Sequence, residues 1–151
     1  MTEQIKNKIL SIIPTAVLDE TGEWLQIKLS PEDWSKNASN FKNDSDLMFD
    51  YLFCLTCIDW KTHFTLVYHL TSTMSRESVV VKVDLTDRDQ AFIASVASIW
   101  RTAEFHEREA YDLFGVHFEG HPDLRRLFLT DDWIGYPLRK DYEDPINMIK
   151  L

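Results

Sequence analysis

The sequence predicts an α+β fold in two layers, with helices packed on a mixed or antiparallel sheet. Three observations carry this. Apolar residues recur at helical spacing in some stretches and as β-branched and aromatic runs in others, and the runs come in pairs around turn residues. A chain of 151 residues with 44% hydrophobic and 13% aromatic residues is long enough to bury one core. No internal repeat, low-complexity stretch or linker composition divides it, so residues 1–151 read as a single domain.

The elements follow in order. Ile5, Ile9, Ile12 and Ile13 define a helix over Gln4–Ile13, which Pro14 ends. Thr15–Leu18 and Glu23–Leu29 read as a hairpin around Asp19-Glu20-Thr21-Gly22. Ser30-Pro31-Glu32-Asp33 opens a helix to about Asn40: Ser as N-cap, Pro at the first position, then two carboxylates at the positive end. After the polar loop Asn43–Asp46, the apolar run from Leu47 to Leu55 reads as a further helix. HFTLVYHLT (63–71) and SVVVKVDL (78–85) read as a second hairpin. Thr86-Asp87 is read as the cap of a helix over 89–100.

The stretch 100–142 organises the rest. It holds Gly115, Gly120 and Gly135, three of the chain's four glycines, together with Pro122 and Pro137. Thr102 as N-cap, Ala103, His106, Ala110, Leu113 and Phe114 on one face, and Gly115 as stop predict a helix over 103–114. Glu104, Arg108 and Asp112 stand four apart, which stacks acid, base and acid. Beyond it lie Asp123, Arg125, Arg126, Asp131, Asp132, Arg139, Lys140 and Asp141 among Phe128, Trp133, Tyr136 and Leu138. Such a mixture predicts an ordered, ion-paired surface.

The formal charge of −9 argues against a nucleic-acid binder, which would carry a basic face. The N-terminal apolar run, Ile9 to Ile13, is too short for a signal peptide, and Leu47–Trp60 is too short and too charged to span a bilayer. Two cysteines without an export signal do not suggest a disulfide framework, so the chain reads as cytoplasmic and soluble by itself. Cys54 and Cys57 form a C-x-x-C, but they follow the predicted helix 47–55 and so sit at its negative end, the wrong place to activate a thiol. A zinc site would need further ligands such as His63 and His69. His106-Glu107 lacks a histidine at 110, where Ala110 stands, and His117 and His121 are separated by Gly120. Glu107, Glu109 and Asp112 are expected to stay ionised through Arg108, Arg125 or Arg126. No glycine-rich phosphate loop or nucleophile motif occurs. The rival to a binding role is therefore a free-standing metal or thiol enzyme built on Cys54, Cys57 and the histidines.

EREAYDLFGVHFEGHPDLRRL (Glu107 to Leu127) and DDWIGYPLRKDY (Asp131 to Tyr142) together resemble the signature of the C-type subunit family of respiratory complex I, the NADH:quinone oxidoreductase. The resemblance rests on Glu107, Arg108, Glu109, Tyr111, Asp112, Gly115, Gly120, His121, Pro122, Asp123 and Pro137, and covers about the last third of the chain strongly. It implies a two-layer α/β subunit of the peripheral arm, without catalytic residues, cofactor or metal of its own. FMN and iron–sulfur clusters would belong to partner subunits. The partners implied are the large, D-type quinone-site subunit and neighbouring iron–sulfur subunits, with membrane contact only through the complex and on its cytoplasmic side. Related subunits serve membrane-bound hydrogenases and ferredoxin-linked complexes. The resemblance further implies that helix 103–114 folds the domain while 122–142 docks on the partner through Arg125, Arg126, Trp133, Tyr136, Arg139 and Lys140. His121 would fix the G-H-P-D turn by bonding to backbone. Many members continue past this region with a tail that wraps the large subunit; here YEDPINMIKL follows Asp141. The alternative is that the same pairs staple the segment to its own domain, and the two readings can hold for different residues.

Overall fold

The computed structural model describes residues 2–148. Met1 and residues 149–151, including the end of the tail, lie outside the described residues. The order is α1 (Thr2–Ile12), β1 (Val17–Asp19), β2 (Leu25–Leu29), α2 (Pro31–Asn43), β3 (Tyr51–Asp59), β4 (Phe64–Thr71), β5 (Ser78–Leu85), β6 (Phe92–Ala94), α3 (Ala103–Phe114) and β7 (His117–Glu119). Five strands form a sheet in the order β1-β2-β5-β4-β3, antiparallel except for the parallel pair β2–β5. Strands β6 and β7 form a small parallel pair. The α+β class and both predicted hairpins are therefore present.

One face of the large sheet makes the core. Phe64, Leu66, Tyr68 and Leu70 alternate along β4, Val79, Val81, Val83 and Leu85 along β5, and all are buried. Helix α1 adds Ile5 and Ile9, α2 adds Trp34, Ala38 and Phe41, and α3 adds Ala103, Ala110 and Phe114. Trp34 anchors the layer, stacked at 5.9 Å on Trp100 and tilted at 4.9 Å against Tyr68. Helix α2 starts as its sequence demands, with the Ser30 hydroxyl accepting from the Asp33 N–H at 3.1 Å.

Two predicted helices are corrected. Leu47–Leu55 is not helical: Met48 takes a left-handed φ of 48° and the chain enters β3 at Tyr51. A near-continuous apolar run has no periodicity that separates helix from buried strand, and the register shift between Leu52 and Cys54 blurs the alternation further. Residues 89–100 are not helical either. Asp87 Oδ1 accepts from the N–H groups of Asp89 and Gln90, so the supposed cap is a local turn, and β6 follows. Trp100 is instead fixed by its indole N–H, which donates to the Phe49 carbonyl at 2.8 Å.

Among the described residues, the buried Tyr68 hydroxyl makes no hydrogen bond of ordinary geometry, the Trp34 indole beside it being likewise unsatisfied. Because an unpaired buried hydroxyl costs about 1–3 kcal/mol, Tyr68→Phe should be neutral or stabilising in urea denaturation. A loss above about 1 kcal/mol, the value of one ordinary bond, would show that the hydroxyl has a partner.

Candidate partner-docking surface

Helix α3 sends its polar side chains in two directions, and neither is the predicted stack along its own surface. Asp112, in the last turn, is fully buried. One carboxylate oxygen accepts from the N–H groups of Leu127 (3.2 Å), Phe128 (2.7 Å) and Leu129 (3.1 Å), and the other accepts from Arg126 at 3.0 Å. Burial by itself would raise this carboxyl, but those donors outweigh it and hold it below the usual aspartate range. Arg108 donates to the carbonyls of Arg125 (3.2 Å) and Arg126 (3.0 Å), with its guanidinium over the Phe105 ring.

The segment after β7 is thus sewn to α3 from below, and its own arginines continue the seam. Arg126 also donates to the carbonyls of Asp112, Trp133 and Gly135. Arg139 donates to the Phe114 carbonyl at 2.7 Å and the Arg88 carbonyl at 3.1 Å. Tyr136 is contacted by both guanidiniums, at 5.2 Å from Arg126 and 4.9 Å from Arg139. Gly115 is required there: its φ is 78°, and a Cβ would lie 2.6 Å from the Tyr136 ring. The far end is fixed by Asp59 on β3, which accepts from Arg88 (2.7 Å) and from the Lys140 N–H (2.9 Å), while Arg88 also pairs with Asp141 at 2.8 Å.

Of the residues the signature assigns to docking, the structure therefore employs Arg126, Tyr136 and Arg139 inside the chain, and Trp133 is half-buried. Arg125 is exposed and pairs with nearby Asp123 at 2.9 Å, and Lys140 lies over the Trp60 ring. What the clamped backbone turns outward is apolar: Phe128 is 66%, Ile134 89% and Leu138 52% exposed, with Phe105 of α3 at 58% and Ile146 at 91%. Chain polarity inward and apolar groups outward invert the usual arrangement of a surface segment, and such concentrations mark interaction sites. Phe128 and Leu138 stand out in the sequence beside the charges. Arg88 and Asp59, which close the seam, carry no spacing signal: Arg88 stands near a predicted helix cap and Asp59 inside an apolar block.

The remaining signature residues are local fasteners. His121 bonds to backbone, as the resemblance implied: Nε2–H donates to the Glu104 carbonyl and Nδ1 accepts from the Asp123 N–H, each at 2.9 Å. Tyr111 accepts from the Gly115 N–H at 2.9 Å through its carbonyl, and Glu109 is half-buried. Gly120 has a φ of 81° with open space around it, and Pro122 is exposed and Pro137 half-buried.

Glu107 corrects the expectation of arginine pairing. It is fully buried; its oxygens accept from the Ser95 hydroxyl at 2.6 Å and the Val96 N–H at 2.7 Å, and His121 Nε2 stands 3.8 Å away. Burial pushes its carboxyl up to about 7, against the lowering effect of those two bonds. The cysteines also sit differently from the sequence reading. Both lie on β3, not after a helix, and burial first, then the Asp59 charge, pushes the Cys57 thiol up to about 12. Cys54 is raised too, by burial and then by the Glu109 charge. Neither is an activated thiolate. Among the described residues, no three His, Cys, Asp or Glu side chains converge as metal ligands would.

A family model described as respiratory-chain NADH dehydrogenase, 30 Kd subunit, matches residues 27–146. The chain belongs to this family. It is 50% identical over 103 residues to the fused C/D subunit of the NADH-quinone oxidoreductase of Phocaeicola vulgatus, covering 68% of this chain and 20% of that protein. It is 46% identical over 112 residues to the C-type subunit of the same enzyme in Chloroherpeton thalassium, covering 73% and 46%. The chain thus spans less than half the length of these two relatives. A solved chain from the membrane-bound sulfane sulfur reductase, an archaeal respiratory membrane complex, superposes with a TM-score of 0.81 at 30% identity, covering 94% of this chain and 85% of that one. Among the described residues, no helix is long and apolar enough to cross a membrane.

The seam and the buried acid can each be tested by substitution. Asp112→Ala leaves three N–H groups without an acceptor and the Arg126 charge without its carboxylate, and should cost on the order of 3–5 kcal/mol in urea denaturation; a loss below about 1 kcal/mol, the worth of one ordinary hydrogen bond, would show that the segment is not part of the fold. Glu107 holds its proton more tightly when folded, so its contribution is complete below about pH 4.5 and is lost as pH rises to about 7. At about 1.4 kcal/mol per pH unit the full span is on the order of 3 kcal/mol. Glu107→Gln cannot ionise and keeps a carbonyl for Val96, so between pH 5 and pH 8 its stability should fall less than that of the parent chain. Parallel falls would refute the assignment.

Proposed function

We propose that this chain is a non-catalytic peripheral-arm subunit of a proton-pumping NADH:quinone oxidoreductase, bracing the large quinone-site subunit on the cytoplasmic side of the membrane. The observation that carries this reading is the 128–138 surface: rigidly clamped backbone presenting Phe128, Ile134 and Leu138 to solvent, where a partner would cover them. Family membership supplies the kind of assembly, and the fused C/D relative supports a large D-type subunit as the neighbour. The mechanism is positional. A clamped surface loses little freedom on docking, so more of its contact energy appears as affinity. The docked subunit then keeps the quinone pocket and its electron path in register. Electron carriers, FMN and iron–sulfur clusters, would reside in partner subunits, including iron–sulfur subunits that this chain would adjoin.

Replacing Ile134 and Phe128 together by Asp places two charges on the proposed contact and leaves the backbone N–H groups of the seam in place. Co-purification with the large subunit should fall at least tenfold while the melting curve of the free chain stays within a few degrees of the parent, surface changes ordinarily costing about 0.5 kcal/mol or less. Undiminished co-purification would end the interface reading.

A further inference from the structure

Among the described residues, strand β6 pairs on one side only, with β7. The His117 N–H donates to the Ala91 carbonyl and the Ser95 N–H to the Glu119 carbonyl, both at 2.8 Å, so residues of that parity face β7. Backbone direction alternates along a strand, and Phe92 and Ala94 turn their N–H and C=O groups the other way. Phe92 and Ala94 line a groove of about 590 Å³ bounded by β6, the start of α2, the end of β5 and Glu119 of β7. The Phe92 side chain stands at its rim, 62% exposed, whereas Ile93 is buried. The groove shares no lining residue with the 128–138 surface.

The charge of the groove indicates its occupant. Four carboxylates line it, Glu32, Asp84, Asp87 and Glu119, against Lys36. Asp84 is neutralised by Lys28 at 2.9 Å, but among the described residues Glu32, Asp87 and Glu119 are in no ion pair. We propose that the outer edge of β6 accepts an extended basic segment of a neighbouring subunit as a third strand. Main-chain bonds to Phe92 and Ala94 set its register, an apolar side chain of the segment covers Phe92, and its Lys or Arg residues meet Glu32, Asp87 and Glu119. A strand of three residues is short enough to stay unpaired in the free chain without inviting aggregation. The proposal rests on the chain working inside an assembly, and it adds a second contact separate from the first.

The test uses the intact complex. Phe92 is replaced by the photocrosslinker p-benzoylphenylalanine, with Ile134 replaced likewise in a control, and the crosslinked peptide is sequenced. Expected is a peptide of another subunit that carries net positive charge. In the same complex the Phe92 and Ala94 amides should exchange at least tenfold more slowly than in the free chain, while Ile93, bonded towards β7, is protected in both. A crosslink to an acidic segment or to a second copy of this chain would overturn the proposal. So would no crosslink at 92 beside a strong one at 134, or unchanged exchange at Phe92 and Ala94. If the chain enters no complex at all, the assembly reading itself fails, and the absence of any crosslink at 134 reports that separately.

Discussion

The structure depends on one buried charge. Asp112 lies in the last turn of α3, the negative end of the helix dipole, where a carboxylate is disfavoured even at a surface. Burying it there would be prohibitive without compensation. Three consecutive N–H groups, from Leu127 to Leu129, and the Arg126 guanidinium provide it. Because those donors come from residues 14–17 positions downstream, satisfying the charge also dictates the path of an otherwise irregular segment. Arg126 then passes the constraint on to the carbonyls of Trp133 and Gly135, and Tyr136 passes it to Arg139.

This use of polar groups explains why the outer surface is apolar. Once Arg108, Arg126 and Arg139 have turned inward to satisfy carbonyls, little polarity is left to face solvent between Phe128 and Leu138 apart from Asp131, Asp132 and Thr130. A surface of this kind is costly in a free chain and useful in an assembled one. Rigidity and apolarity belong to the same design: the seam removes the freedom that docking would otherwise have to remove. Glu107 contributes at the other side of α3, tying the end of β6 to the helix through Ser95 and Val96.

Most of the fold was legible because local chemistry and tertiary role agreed. Ser30-Pro31 capped α2, and the β-branched runs of β4 and β5 paired as written. Failures came where two structures share one pattern. The run from Leu47 to Leu55 is apolar on both faces because β3 meets α3 on one side and carries an aromatic group around Phe53 on the other, so no period of 3.6 or 2 survives. Asp87 offered turn and cap chemistry equally. At the site, the sequence drew attention to the segment and to its arginines, yet it assigned Arg126 and Arg139 to a partner where the structure turns them onto the chain's own carbonyls, since an arginine that reaches a partner and one that reaches a carbonyl look alike in sequence. Asp59 and Arg88 escaped because long-range ion pairs have no spacing.

Docking of a preformed surface requires the 121–142 segment to be ordered by its own chain before any partner arrives. Native-state amide exchange of the free chain tests this directly at Leu127, Phe128 and Leu129, whose N–H groups end on Asp112. Slow exchange, with protection approaching that of the β4 core amides, is the expected result. Exchange near the rate of an unstructured peptide at those three amides, with β4 still protected, would contradict it.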